Sequence, residues 1–208
     1  MNNKENISNQ SSSLEPLLSE VKKGRLREAF VFIVILRGIN VSGKNKLPMQ
    51  ALRDLLNELG FENVQTYIQS GNIVLQSKKN KEEIATLIKE GIKSEFDYDV
   101  PVLVRTISEW EKAIANNPYK EVALKQQYFT FLSEIPAITT FEIDAKQDEF
   151  TVIEDVVYVN AVGGYGKTKL TNNLLEKKLK VTATTRNLKT TMKLLTLAHP
   201  NPPEGREL

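Results

Sequence analysis

The chain has 208 residues, a net charge of +2, 40% hydrophobic and 26% charged residues, the balance of a globular protein with room for a sizeable core. Its lack of cysteine excludes disulfides, thiolate metal sites and cysteine nucleophiles, and a single histidine, His199, argues against a His-based zinc site or a Ser-His-Asp triad. No apolar run approaches the roughly 20 residues of a membrane span and the first residues carry no hydrophobic leader, so the expectation is a cytoplasmic protein without a membrane partner.

Residues 1–28 read as an extension outside the core. Residues 1–13 are rich in Asn, Ser and Gln and are predicted disordered, and 14–28 place Leu14, Leu17, Leu18 and Val21 at helical spacing. Phe30–Leu36 (FVFIVIL) is a short, fully apolar run, predicted as a buried strand. A loop rich in glycine, asparagine and cations follows within 36–49 (LRGINVSGKNKLPM), and it holds no acid. Pro48 suits a first helical position, Met49, Leu52, Leu55, Leu56 and Leu59 form an apolar stripe, and Gly60 stops that helix. Strands are predicted at 63–68 and 73–76 around the tight turn Gln69-Ser70-Gly71-Asn72. Asn80, with Glu83 three residues on, predicts a capped helix turning Ile84, Leu87, Ile88 and Ile92 inward. A strand at 100–105 completes the order β-α-β-β-α-β, the ferredoxin-like split unit.

Ser108 and Glu111 read as a second capping box, opening a helix that Asn117-Pro118 ends. Strands are predicted at 127–132, 139–143, 150–154 and 156–160, then a second Gly/Lys loop at 163–169 and a helix at 170–178. A short extended piece at 181–184 precedes a final helix capped by Asn187. The second half is thus a less regular α+β sandwich, and the two halves could share one continuous sheet. The predicted division is an extension at 1–28, a first half at 29–106, a second at 107–199 and a tail at 200–208.

Two segments come close to a phosphate loop. Residues 38–45 fit G-x-x-x-x-G-K but place Asn45 where a hydroxyl would hold Mg²⁺, and residues 161–168 contain G-K-T but begin with Ala161. A P-loop NTPase also needs a parallel sheet and an acid at a strand end. The order of elements here implies antiparallel hairpins, so the weaker reading is retained: a Gly-rich basic loop after a strand offers N–H groups and cations to an anion. Charge placement agrees. Residues 160–193 hold eight Lys/Arg and one acid, whereas 121–155 hold eight acids and two lysines. Arg37 follows the buried strand directly, and a guanidinium suits bidentate phosphate or carboxylate recognition. Gln69, Ser70 and Asn72 can orient a ligand or merely serve the turn. Arg186, expected at a helix N-terminus against the dipole, calls for an anion or a carboxylate partner. Trp110 and Tyr67 read as core or half-core aromatics, and no pair of acids stands out as general acid and base.

The segments LRGINVSGKNKLPM, LRDLLNELGFENVQTYIQSGNIV and TATTRNLKTTMKLL resemble the bacterial family called domain of unknown function 1697 over about residues 30–197. The resemblance implies an α+β fold of two ferredoxin-like halves and no established reaction. Its motif residues fall on Arg37, Gly38, Asn40, Gly43 and Lys44, on Gln69, Ser70, Gly71 and Asn72, on Lys169 with Leu170, and on Thr185, Arg186, Asn187 and Lys193. The chain departs from the family pattern at Ser42, Thr168 and Leu188, and Lys189 precedes the threonine. The expectation is a basic cleft formed by Arg37, Gly38, Asn40, Lys44, Gln69, Ser70, Asn72, Lys169, Arg186 and Asn187. It would bind a nucleotide, a nucleic-acid backbone or a phosphorylated metabolite. Two other classes stay open: an enzyme acting on a small phosphorylated or nucleotide substrate, and a protein-interaction module. No cofactor, catalytic residue or oligomeric state follows from the sequence.

Overall fold

The computed structural model describes residues 29–41 and 43–199. The helix expected within 14–28, the disorder expected at 1–13 and the tail at 200–208 lie outside the described residues.

The first sheet holds β1 (Phe30–Leu36), β2 (Glu62–Tyr67), β3 (Asn72–Ser77) and β4 (Val102–Thr106) in the order β2-β3-β1-β4, every neighbour antiparallel. Helices α1 (Met49–Glu58) and α2 (Lys81–Phe96) connect its strands. β1 is central, which is why its apolar run does not alternate. Phe32, Val34 and Leu36 pack toward α1 and α2 with Leu52, Leu56, Ile84 and Ile88. Ile33 and Ile35 face the other way, into a second core. Helix α2 opens on the expected capping box, with both reciprocal Asn80 and Glu83 bonds formed. Gly60, at φ +82°, ends α1 as expected, while Pro48 sits at the cap, one position before the helix.

After β4 come α3 (Ile107–Ala115) and a 3₁₀ turn at Leu124–Gln126. The second sheet holds β5 (Gln127–Leu132), β6 (Glu149–Ile153), β7 (Val156–Asn160) and β8 (Ala183–Asn187) in the order β6-β7-β5-β8, again all antiparallel. Helix α4 (Asn172–Leu179) precedes β8, and α5 (Leu188–Ala198) follows it. Taken by position along the chain, the two sheets have the same strand order. Each fourth strand runs straight into a helix, α3 after β4 and α5 after β8. Those two helices share one core with both sheets: Ile33, Ile35 and Leu103 from the first, Phe129, Phe131 and Tyr158 from the second, and Trp110, Leu194 and Leu195 from the helices. Trp110 stacks on Phe131 at 4.2 Å between ring centroids, and its Nε1 donates to Thr191 O at 2.9 Å. The far face of the second sheet packs Leu132, Val157 and Val159 on Leu175 and Leu179 of α4.

Four expectations are corrected. The sheets are two, not one continuous sheet, because α3 and α5 share the core between them and keep the sheets from joining edge to edge. Residues 139–143 form no strand. Phe141 instead stacks on Phe150 at 4.6 Å from a loop, and Phe141 and Ile143 cover the outer core without pairing. The second capping box is Thr106 with Glu109, since β4 carries the chain straight to Thr106 and the helix starts two residues before Ser108 could cap it. The piece expected at 181–184 is β8 at Ala183–Asn187, so Arg186 lies within a strand opposite Phe129, and Asn187 alone caps α5.

Candidate functional site

The loop after β1 closes on itself. Gly38, Asn40, Gly43 and Asn45 all adopt positive φ, which explains its Gly/Asn content. The Asn40 amide donates to Leu47 O at 2.9 Å and Gln69 O at 2.8 Å and accepts from Leu47 N at 2.8 Å. Asn45 Nδ2 donates to Gly38 O at 3.0 Å, and Asn40 N donates back to Asn45 O at 3.0 Å. The backbone of Val41 and Lys44 forms a small bridge, leaving Lys44 and Lys46 exposed. Both strands flanking β1 are antiparallel to it, so 38–45 lacks the parallel framework of a P-loop. At 161–168, Thr168 is buried and its hydroxyl accepts from Leu170 N at 3.1 Å.

The turn between β2 and β3 meets this loop. Gly71 has φ +71°, and a Cβ there would lie 2.6 Å from Leu36 Cβ, so only glycine lets the turn approach. Leu36 N donates to Gly71 O at 2.8 Å. Asn72 is fully buried, and its Nδ2 donates to Tyr67 O at 3.0 Å and Ser70 Oγ at 2.9 Å. Its Oδ1 accepts from Arg186 Nε across the molecule. Arg186 Nη2 donates to Leu36 O and Ser70 O, each at 2.8 Å, and Nη1 to Thr185 O at 2.9 Å. All these acceptors are neutral. Burial pushes the guanidinium down to about 10, which leaves it charged at neutral pH.

Arg105 occupies the matching place in the first sheet, one residue before the N-cap of α3 as Arg186 is one before the N-cap of α5. The contacts are reciprocal. Arg186 grips Leu36 O at the end of β1 and the β2–β3 turn. Arg105 grips Leu132 O at the end of β5 and the β6–β7 turn. Even Leu36 N to Gly71 O has its counterpart in Leu132 N to Asp155 O at 2.9 Å. The two ends differ in charge. Arg105 pairs with the Asp155 carboxylate at 2.9 Å, whereas Arg186 has no acid among its partners.

Beside Arg186 lies Arg37, whose Nη2 donates to Asn173 Oδ1 at 2.6 Å and pairs with Glu176 Oε2 at 2.7 Å, both on α4. Arg37 Nε is buried without a partner. Tyr165 completes the wall. Its hydroxyl bonds Thr185 Oγ1 at 3.0 Å, and burial raises its pKa against the opposing pull of that bond and of Arg37 and Arg186. Thr185 Oγ1 donates in turn to Asn172 Oδ1 at 2.6 Å.

Arg37, Gly38, Asn40, Ser70, Asn72 and Arg186 therefore meet at one junction between the sheets, with Lys44 and Gln69 exposed on the same two loops. Three residues stand apart from those bonds. Lys169 pairs with Asp144 at 2.8 Å on an exposed surface, Asn187 caps α5 through Thr190 N, and Lys193 is exposed on α5. Sequence reasoning missed Tyr165, Asn172, Asn173, Glu176 and Arg105. The signal for Arg105 was present, because Arg-Thr and Arg-Asn both close a strand before a capped helix. Among the described residues no group of three His, Cys, Asp or Glu could hold a metal ion, and no helix is long and apolar enough to cross a membrane.

A family model described as "Protein of unknown function (DUF1697)" matches residues 31–158, from β1 to β7. Among solved structures, the chain is similar to that of the conserved bacterial protein SP0830 from Streptococcus pneumoniae. The identity is 24% over 83% of this chain and 100% of that chain, with a TM-score of 0.64, which establishes a common fold. Compared with curated proteins, the chain has no match.

Proposed function

We propose that this chain, which belongs to the DUF1697 family of proteins of unknown function, binds a phosphate-bearing anion at the Arg186 end of the junction. The observation that carries this reading is the inequality of the two reciprocal arginines. Arg105 is neutralised by Asp155, and Arg186 is held only by carbonyl and amide oxygens. A half-buried cation without a counter-ion carries a cost that a bound anion would offset. The same end carries Arg37, which pairs with Glu176, and Lys44 and Lys46, neither of which is ion-paired among the described residues. Arg186 spends its bonds on the fold, so it contributes field to the site, while Lys44, Lys46 and Gln69 are the groups free to touch a ligand.

Binding without catalysis is the reading we favour over an enzyme. Glu176 is engaged by Arg37, and the Tyr165 hydroxyl is pushed further from neutrality, so neither is poised as a general acid or base. The matching strand orders support reading each sheet with its helices as ferredoxin-like. The equivalence of α3 with α5 moves the division we propose from 106/107 to the connection between α3 and the 3₁₀ turn. A cytoplasmic location belongs to the same proposal.

The test is thermal unfolding with nucleotides, oligonucleotides and sugar phosphates, repeated on Arg37→Ala and Lys44→Ala. A ligand at about 100 times its Kd adds about 2.7 kcal/mol, a rise of roughly 5–10 °C for a chain of this size. Lys44→Ala is expected to abolish the rise while leaving the ligand-free midpoint in place, because Lys44 is exposed. Affinity that falls steeply with salt identifies a nucleic-acid backbone, and a shallow dependence a metabolite. A midpoint unmoved across the whole set overturns the proposal.

A further inference from the structure

A second candidate site lies at the start of α5, outside the junction. A groove of about 540 Å³ is walled by Leu124, Lys125, Tyr128, Leu188, Lys189 and Met192. Its size and its apolar lining with a few polar groups are those of small-molecule sites. Leu124 is 69% exposed and lines the groove.

The walls are fixed by bonds made elsewhere. Gln127 is buried, accepts from Asn117 Nδ2 at 2.8 Å and donates to Val122 O at 2.8 Å, which holds the turn that displays Leu124 and Lys125. Tyr128 is held by a bond from Tyr165 N to its hydroxyl at 3.3 Å, and the two rings pack at 5.2 Å. On the other side, the Asn187 cap fixes the first turn of α5, which carries Leu188, Lys189 and Met192. The groove is therefore preformed, and a ligand would not have to order it.

The charge of the lining selects the occupant. Both charged residues are lysines, both are exposed, neither is ion-paired among the described residues, and no acid lines the groove. A second copy of the chain docking about a two-fold axis would bring like-charged lysines face to face. An inorganic anion would leave the apolar floor wet. We propose that this groove binds a small amphipathic organic anion, free in solution, whose apolar body lies on Leu124, Tyr128, Leu188 and Met192 and whose acidic head meets Lys125 and Lys189.

The probe is 8-anilinonaphthalene-1-sulfonate, with N-phenyl-1-naphthylamine as the analogue with the same rings and no charge. The chain has three methionines, and Met192 lies in the groove while Met49 is buried in the first core. In full-length protein labelled with ¹³C-methyl methionine, the sulfonate is expected to move the Met192 methyl resonance saturably and leave that of Met49 in place. In Lys125→Glu/Lys189→Glu the sulfonate affinity is expected to fall at least about tenfold, with the neutral analogue changed less than about twofold. Leu124→Ser, on an exposed side chain, is expected to weaken both probes several-fold. No saturable Met192 shift, or sulfonate affinity equal in the lysine variant, overturns the proposal. So does a dimer that Leu124→Ser dissociates, since the groove would then be occupied by a second copy. The phosphate assays read Lys44 and the methyl spectrum reads Met192, so this inference and the junction reading fail separately.

Discussion

Replacing Arg186 by methionine tests the central feature of this fold. Met is close in length and apolar, so the change removes the guanidinium and little volume. It strands Leu36 O, Ser70 O, Thr185 O and Asn72 Oδ1. A buried acceptor left without its donor costs about 1–3 kcal/mol, so four amount to roughly 4–12 kcal/mol before relaxation. Against this stands relief from burying a charge. The depression of the guanidinium from 12.5 to about 10 corresponds to about 3 kcal/mol. Part of the site will also rehydrate. The expected net loss is about 3–5 kcal/mol, the middle of the roughly 1–9 kcal/mol that remains once that relief is subtracted. Arg186→Lys should recover only part of it, because an ammonium lacks the planar fork that reaches both Leu36 O and Ser70 O. The assay is urea unfolding of wild type, both variants, Asn72→Ala and the double variant. A coupling of about 1 kcal/mol or more between Arg186 and Asn72 is expected for side chains in direct contact. An Arg186→Met variant within about 1 kcal/mol of wild type, with additive Asn72→Ala, would refute the claim that this side chain ties the sheets together.

Two further perturbations read local physics. Gly71→Ala places a Cβ 2.6 Å from Leu36 Cβ at φ +71°, whereas Gly43→Ala has a similar φ and open space. The first should cost about 2–4 kcal/mol and the second about 1 kcal/mol in urea unfolding, and equal losses would remove close approach as the reason for Gly71. Glu109 is opposed by burial, but the bond and charge of Lys81 and the Thr106 backbone bond more than offset it and hold its carboxyl below the usual 4.5. The native state thus favours the charged form. Its contribution is present above pH 4.5 and is lost as pH falls through the lowered value. Glu109→Gln should be about 0.5–1 kcal/mol less stable at pH 7, after allowing for solvent screening, and the gap should close at acid pH. A gap constant from pH 7 to pH 3 would count against a charged Glu109.

Much of the fold was legible because local chemistry and long-range packing agree there. The run Phe30–Leu36 reads as buried since it is a central strand with a core on each face. Asn80 with Glu83, Gly60 and Asn187 declare helix ends through bonds made within a turn. The failures fall where two local readings compete and tertiary structure decides. Thr106 with Glu109 and Ser108 with Glu111 are equally good boxes, and only the length of β4 chooses between them. Phe141 and Ile143 alternate as a strand would, yet they cover an outer core from a loop. The site divides in the same way. Asn40 and Asn72 are buried or half-buried amides whose every donor is taken by the fold, but in sequence an amide serving a loop looks like an amide serving a ligand. The bond from Arg186 to Asn72 joins residues 114 apart, and no local pattern announces it.

The reciprocal arginines explain why fold and site were hard to separate. Each closes its own fourth strand, reaches across the shared core, and takes the last carbonyl of the other sheet's first strand together with that sheet's hairpin turn. Such an exchange holds two similar units together with one device used twice, and for that purpose the two ends need not differ. They do differ. The Arg105 end meets Asp155 and lies beside Glu154 and Glu109, so its charge is balanced within the protein. The Arg186 end meets amides and carbonyls, lies near a loop whose two lysines are unpaired among the described residues, and adds Arg37 with a buried Nε lacking an acceptor. The position that matches Asp155 is Gly71, where the close approach to Leu36 admits no side chain, so the turn opposite Arg186 cannot carry its acid in the same place. In the reading proposed above, a bound anion would supply the acid that the Arg186 end lacks, and Arg105 serves as the internal control against which that excess is measured.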